Sequence, residues 1–329
     1  MRPPEFWQDA ESLTAKLLTP LGCLFAAGGR LRQMTTVPRR AGIPVICVGN
    51  LVAGGAGKTP VALALAERLA ARSDAGAIHF LTRGYGGSEH GPLRVDRARH
   101  HASQVGDEAL LLATVAPVWV SRDRVAGAQA ARDAGASCLI LDDGFQNPSL
   151  HKDLSLLVID GGFGFGNGRV IPAGPLREPV GDGLARAAAV VLIGDDRHGL
   201  AARLVDRPVL RAKLMPTESS RAALAGRRVF AFAGIGRPTK FFDSLRELGC
   251  DIAGSREFAD HHPYTRGEID ELRAAAARLQ ALPVTTAKDA VRLPPELRAT
   301  IAVLDVSLAW DDATALDKLL AEHFITATS

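Results

Sequence analysis

Short apolar runs recur along the first two thirds of the chain, at residues 43–48, 78–82, 118–120, 138–141, 154–159 and 190–193. They are built largely from Val, Ile and Leu and predict short buried strands. Helical spacing of apolar residues fills several of the gaps, notably over 58–72, 107–114 and 122–134. Strand and helix in alternation predict an α/β fold, a mostly parallel sheet covered by helices. The alternation restarts near Arg228, where VFAFAGIG reads as a strand entering a tight glycine loop. Helix-like KFFDSLREL and EIDELRAAAARL follow, then a strand at 283–286. The expected organisation is therefore a first unit over 31–207, a proline-bearing connection at 208–221, and a second, smaller α/β unit over 222–300. Because the chain must leave and return at one junction, 208–213 and 301–307 are expected to pair as an antiparallel two-stranded linker. A C-terminal helix is expected within 301–329.

The pattern at the N-terminus differs. Residues 6–27 place Trp7, Leu13, Leu17, Leu18, Leu21, Leu24 and Phe25 largely on one side, with Arg30, Arg32, Arg39 and Arg40 close behind. An apolar face beside arginines suits an interfacial helix on an anionic bilayer, or a helix docked on its own domain and interrupted at Pro20. Segment 1–30 is expected to be an amphipathic, membrane-associated element of one or two short helices. It would lie against the first unit, with Leu17, Leu21, Leu24 and Phe25 beside the cleft.

Composition narrows the class without choosing a chemistry. Across 329 residues, 47% apolar and 23% charged is ordinary for a globular protein. No apolar run approaches the ~20 residues that span a bilayer. A net charge of +3 gives no argument for a nucleic-acid partner. Cys23, Cys47, Cys138 and Cys250 show no C-x-x-C spacing, which points to thiols in a reducing compartment. The chain is expected in the cytosol or on the cytosolic face of a membrane.

The chemistry concentrates in a few motifs. VICVGNLVAGGAGKTP, ending at Pro60, is a strand, a glycine loop and the start of a helix. That order is the setting of a P-loop, which makes the fold P-loop NTPase-like. Gly54, Gly55, Ala56 and Gly57 would curl backbone N–H groups around an anion, Lys58 would reach the β/γ-phosphates, and Thr59 would meet Mg²⁺. The regular pattern has glycine where this chain has Val52, and switch ATPases with a variant loop have lysine where it has Ala53. CLILDDGFQ ends an apolar strand in Asp142 and Asp143, the place where P-loop proteins hold Mg²⁺. Since successive side chains of a strand alternate, one of the two is expected to face the metal. GDEALLL opens a helix with Asp107 and Glu108, which either complement its dipole or sit on the metal and beside an attacking hydroxyl. FADHHPY offers His261 beside Asp260. GGFGFGNG at 161–168 follows the wrong strand for a dinucleotide fingerprint and reads as a mobile loop leading to PAGPLREP, where Arg177 can meet an anion. VTTAKDAVRL brings Lys288 and Arg292 from the second unit, and its spacing does not match the guanine-specifying N-K-x-D.

Taken together, these motifs closely resemble the tetraacyldisaccharide 4'-kinase (lipid A 4'-kinase) family. The resemblance rests on VGNLVAGGAGKTP, LTRGYGG, VGDEALLL, LDDGFQ, PAGPLREP, FAGIG, FADHH and TTAKDAVRL, in that order along most of the chain. It implies an ATP- and Mg²⁺-dependent kinase acting on the 4'-hydroxyl of a tetraacylated glucosamine disaccharide 1-phosphate, at the cytosolic face of the inner membrane. It implies no nucleic acid and no obligate protein partner. By motif, Gly54 to Pro60 would bind ATP. Thr59, Glu108, Asp142 and Asp143 fall at metal-associated positions, and Asp107 pairs with His261 as the catalytic dyad beside Lys58. Gln146, Arg177 and Glu178 would contact substrate. Asn147 and Arg237 depart from the residues common in relatives. The competing readings are a P-loop switch ATPase, which would want the lysine at position 53, and a soluble P-loop ligase or small-molecule kinase.

Overall fold

A computed structural model describes residues 4–72 and 76–325, with side chains up to His323. Eight strands precede the second unit: β1 (Val45–Gly49), β2 (Ile78–Thr82), β3 (Leu93–Arg94), β4 (Val118–Val120), β5 (Cys138–Asp142), β6 (Leu154–Asp160), β7 (Ala189–Ile193) and β8 (Val209–Pro216). They are followed by β9 (Arg228–Ala233), β10 (Asp251–Glu257), β11 (Leu282–Thr286), β12 (Ala302–Leu304) and β13 (Val306–Trp310). The larger sheet has nine strands in the order β13-β8-β7-β6-β1-β5-β2-β4-β3. It is parallel except where β3 meets β4 and β13 meets β8, both antiparallel.

The strands β1, β5 and β6 at its centre are buried along their whole length, as expected of a sheet covered on both faces. Their alternation divides the core. Ile46 and Val48 of β1 pack on one face with Val61 and Leu65, and Val45 and Cys47 pack on the other with Leu139 and Leu157. Burial of Cys47 pushes its thiol up to about 11, so it behaves as an apolar core group. The helix Ala313–Ile325 returns to this unit, where Leu316, Leu319 and Leu320 join the first face of the core.

The second unit is a four-stranded parallel sheet, β10-β9-β11-β12, with two small cores of its own. Its connection is an antiparallel pair whose register and surroundings differ in detail from the expected linker. β8 and β13 do pair antiparallel, from Val306 against Pro216 to Trp310 against Ala212. However, β8 also pairs with β7 in parallel, so the ribbon is the edge of the nine-stranded sheet. Residues 302–304 belong to β12 of the smaller sheet and not to the ribbon. The reason lies in reach: the first half of β8 extends the large sheet, and its second half projects far enough to carry β13.

Two further expectations need correction. The N-terminal segment is a single helix, Leu13–Thr35, running through Pro20, preceded by a short turn of helix at Glu5–Trp7. Pro20 is exposed, so the carbonyl it leaves without a partner faces water, and the Thr19 hydroxyl donates to the Ala15 carbonyl at 2.9 Å nearby. The glycine-rich run 161–168 is a series of hydrogen-bonded turns. Phe163 and Phe165 pack on the core, and the Asn167 amide donates to the carbonyls of Phe6 and Ala173.

Candidate active site

The glycine loop leaves the carboxyl end of β1, in the middle of the larger sheet. Val52 is 4% exposed and bridges Leu176 in an antiparallel contact, while the Ala53 N–H donates to the Pro175 carbonyl at 2.7 Å. The first half of the loop is therefore extended and bolted to PAGPLREP, which is why a β-branched residue stands where the regular pattern has glycine. The second half turns. Gly57 has φ +86°, and a Cβ there would lie 2.6 Å from the Ile193 side chain, so this position admits glycine alone. It caps the helix Lys58–Ala70, whose free N–H groups point out of the loop.

Three side chains complete this half. Asn50, wholly buried, donates from its amide to the Val52 carbonyl at 2.8 Å and accepts from Lys58 Nζ at 3.1 Å. Thr59 Oγ1 donates to Asp142 Oδ2 at 3.1 Å. The other Asp142 oxygen is buried with no hydrogen-bond partner among the described residues, and burial raises this carboxyl to about 6. Asp143, in the left-handed region at φ +57°, turns away from it and takes Arg177 Nη1 at 2.8 Å and Lys58 Nζ at 3.6 Å. The two acids thus face different partners, but through the left-handed turn at Asp143, which follows the end of β5, and not through alternation along a strand. Gln146 donates to Glu178 at 2.9 Å, and Arg186 pairs with the other Glu178 oxygen at 2.6 Å. Gln146, Glu178 and Arg186 accordingly form one network beside the loop, and Arg177 is tied separately to Asp143. Asn147 serves the local turn, accepting from Ser149, and does not enter the cleft.

The opposite half comes from both units. Gly106 has φ +85° and packs against the Tyr85 carbonyl, which lets the helix Asp107–Leu112 begin with its two acids at the cleft. His261, held at φ +60° with its N–H on the Gly234 carbonyl, puts Nδ1 3.0 Å from Asp107 Oδ2. That approach is short but angled off the hydrogen-bond direction, so Oδ2 keeps acceptor capacity. Tyr85 meets the His261 ring edge-on, with centroids 5.3 Å apart. Lys288 Nζ lies 2.8 Å from Glu108 and 3.8 Å from Asp107, and Arg292 Nε lies 3.4 Å from Asp107. Arg292 is itself fixed by Asp289, a fully buried carboxylate that also accepts from Tyr264 and the Gly234 N–H.

These charges set the protonation states. Burial works against ionisation of Asp107, but His261, Glu108 and Lys288 together hold its carboxyl below the ordinary carboxylate range. The Asp107 carboxylate, 3.0 Å away, raises His261. Burial, then the neighbouring Asp107, pushes Glu108 up to about 7. Burial disfavours charge on Lys288, yet Glu108, Asp107 and Asp260 outweigh it and raise the ammonium.

A divalent cation suits this donor set. Asp142 and Glu108 each present a buried oxygen without a hydrogen-bond partner among the described residues, which is costly unless a cation takes it. Asp107, Glu108 and His261 also bring ligand atoms within 4.8 Å of one another.

Reasoning from sequence had found the loop, both acid pairs and His261. It missed Asn50, whose signal is only a polar residue after β1, and it missed Asp160. That buried carboxylate ends β6 and is held by Arg237 and Lys240 of the second unit, each at 2.5 Å. Arg237 also stacks on Phe163, 4.4 Å from its centroid. The side chain that departs from the common pattern is therefore a contact between the units.

A P-loop on a mostly parallel sheet, facing an acid of the same unit that pairs with a histidine from the second, defines a P-loop phosphotransferase architecture. Residues 14–325 match the family described as Tetraacyldisaccharide-1-P 4'-kinase, and the chain belongs to that family. The chain is 58% identical to the Tetraacyldisaccharide 4'-kinase of Rhodospirillum centenum, covering 98% of this chain and 96% of that protein. It is 56% identical to that of Gluconacetobacter diazotrophicus, covering 97% of each. A crystal structure of the "apo" form LpxK from Aquifex aeolicus in complex with ATP superposes with a TM-score of 0.74. That match has 26% identity and covers 95% of this chain and all of the other.

Proposed function

We propose that the chain uses ATP to phosphorylate the 4'-hydroxyl of a tetraacyldisaccharide 1-phosphate, giving the 1,4'-bisphosphate. The observation that carries the reading is that the phosphate loop with Lys58, Thr59 and Asp142 shares one cleft with the Asp107–His261 pair: a Cβ on Gly236 would lie 3.7 Å from the Gly55 nitrogen and 3.4 Å from Asp260, beside His261. Phosphoryl transfer asks mainly for alignment and for neutralisation of charge on the phosphoryl oxygens. Gly54 to Pro60 would cradle the phosphates, with Lys58 as the fixed cation. Mg²⁺, held by Thr59 and Asp142 and reached by Glu108, would supply further neutralisation at the β/γ-phosphates.

Asp107 is the acceptor for the 4'-hydroxyl proton, and His261 holds it in place. A carboxylate kept this acidic orients the hydroxyl more than it pulls the proton early, which suits a loose transition state. The proton then rests on the Asp107–His261 pair as the new phosphate ester leaves. Gln146, Arg177 and Glu178 stand where they can meet the disaccharide.

The substrate carries four acyl chains, and moving each CH₂ out of a bilayer costs about 0.8 kcal/mol. The reaction is therefore placed at a membrane surface, the cytosolic face of the inner membrane. Supporting that placement, the N-terminal helix turns Leu17, Leu21, Leu24 and Phe25 outward, between 50% and 80% exposed. No described helix is long and apolar enough to cross a membrane.

The test is direct. The purified protein is incubated with MgATP and the tetraacyldisaccharide 1-phosphate, and phosphate gain on the lipid is read by mass. ATP hydrolysis without gain on the lipid would instead favour the switch ATPase reading.

A further inference from the structure

Outside the cleft, a second group of basic side chains gathers where the two units meet. Arg97 and His100 stand on the loop after β3, and Arg298 ends the short helix Pro295–Arg298 of the second unit. With Ala98, Leu110 and Val291 they line a pocket of about 220 Å³, and no carboxylate is among the lining residues.

Arg298 and His100 are oriented by bonds that leave hydrogens for a ligand. Arg298 donates from Nε to the Leu293 carbonyl at 3.1 Å and from Nη2 to the Val291 carbonyl at 2.7 Å, using neither Nη1 hydrogen. His100 Nδ1 accepts the Asp96 N–H at 2.9 Å, which fixes the tautomer and makes Nε2 a donor. Asp96, the acid nearest in sequence, is engaged by the Ala98 N–H at 2.9 Å and by Arg99 at 3.5 Å. Burial, then the charge of Arg97, holds Arg298 below the ordinary arginine range, so positive charge faces positive charge here.

We propose that this pocket is an anion site that takes orthophosphate or a phosphate monoester between Arg97 and His100 of the first unit and Arg298 of the second. Two guanidinium forks and one imidazole N–H match the oxygens of a phosphate. The volume accommodates that anion with ordered water, each water needing about 30 Å³. An anion held there relieves the repulsion between Arg97 and Arg298 and ties the two units together. Leu110 shares its helix with Asp107, and Val291 precedes Arg292, so the site abuts the back of the Asp107–Arg292 contact. Occupancy would favour the arrangement in which Asp107 and His261 meet.

The test uses the full chain with the P-loop first saturated by a non-hydrolysable ATP analogue and Mg²⁺. Inorganic phosphate is then titrated at constant ionic strength against chloride, by calorimetry and by thermal melting. Expected are one bound phosphate per chain and, at ten times Kd, a Tm rise of about 2–4 °C. Arg97→Ser and the pair Arg97→Ser/Arg298→Ser should weaken binding at least tenfold, while Lys58→Ala should keep it. A second arm floats the protein on phosphatidylcholine vesicles with and without phosphatidic acid, a phosphate monoester. Phosphatidic-acid retention that falls in the Arg97→Ser/Arg298→Ser variant assigns a lipid headgroup. Equal retention, with phosphate titration still dependent on Arg97, assigns the free anion. No binding at 10 mM phosphate, or binding that both serine variants leave unchanged, overturns the proposal.

Discussion

The Lys58 ammonium meets Asn50 at 3.1 Å and Asp143 at 3.6 Å, both at the cleft, so its removal should leave the core intact. Lys58→Ala should lower kcat/KM by about 10²–10³, the cost of one preorganised charge partner, with a circular dichroism spectrum and Tm near wild type. Near-normal turnover in the folded variant would remove the P-loop assignment. Asp107→Ala and His261→Ala should each reduce kcat strongly, and together much less than the product of the two, because groups acting as one unit are non-additive. Fully multiplicative losses in a steady-state comparison would dissolve the pair.

Single residues were the most legible part of this chain wherever a motif states its own context. Lys58 and Thr59 follow a strand and open a helix, and Asp142 ends the neighbouring strand, so order along the chain implies proximity in the fold. Asn50 and Asp289 carry no such signal. Each organises loops through bonds to backbone groups distant from any pattern, Asn50 to the Val52 carbonyl and Asp289 to the Gly234 N–H.

At the scale of elements, the helix Leu13–Thr35 docks by a narrow seam. Only Ala15, Gly22 and Ala26 are buried, and a Cβ on Gly22 would lie 2.7 Å from the Val170 carbonyl oxygen. Small residues set this close approach and leave the leucines facing outward. Near its end, Gln33 donates to the Gln146 carbonyl at 3.1 Å, which brings the helix alongside the phosphate loop. Leu21→Asp with Phe25→Asp should therefore cost little stability, since both side chains are at least half exposed. The double variant should weaken liposome binding and raise KM for the lipid more than for ATP. Unchanged flotation would detach this helix from the membrane. Its apolar side was legible from periodicity, but its single continuous run was not. Propensity argues for a break at Pro20, and exposure of that position makes the break unnecessary.

In the whole molecule, the units are joined covalently through β8 and β13 and held across the cleft by charge. Asp107 and Glu108 meet His261, Lys288 and Arg292, and Asp160 meets Arg237 and Lys240. Asp160→Asn should leave two cations competing for a neutral amide and loosen the closed arrangement. A distance between spin labels on the two units should lengthen, and KM should rise with a smaller change in kcat. An unchanged distance distribution would show that Asp160 is not part of the closure. This level was least legible, because Asp160 and Arg237 are far apart in sequence and neither position has a partner nearby to suggest it. The ribbon was half legible, since a chain that leaves a unit and returns implies paired strands without saying which sheet owns them.

The character of that closure has a thermal consequence. Parting carboxylates from ammonium, guanidinium and imidazole groups exposes polar surface at the charge pairs themselves, and apolar exposure is what raises heat capacity, by about 0.45 cal/K/mol per Å². Opening there should be nearly silent in a calorimeter while responding to ionic strength, down to the ~3 Å Debye length of 1 M salt. The hydration that charged groups give up on pairing also becomes less favourable as temperature rises. Warming, short of unfolding, should thus draw the two halves of the cleft closer together.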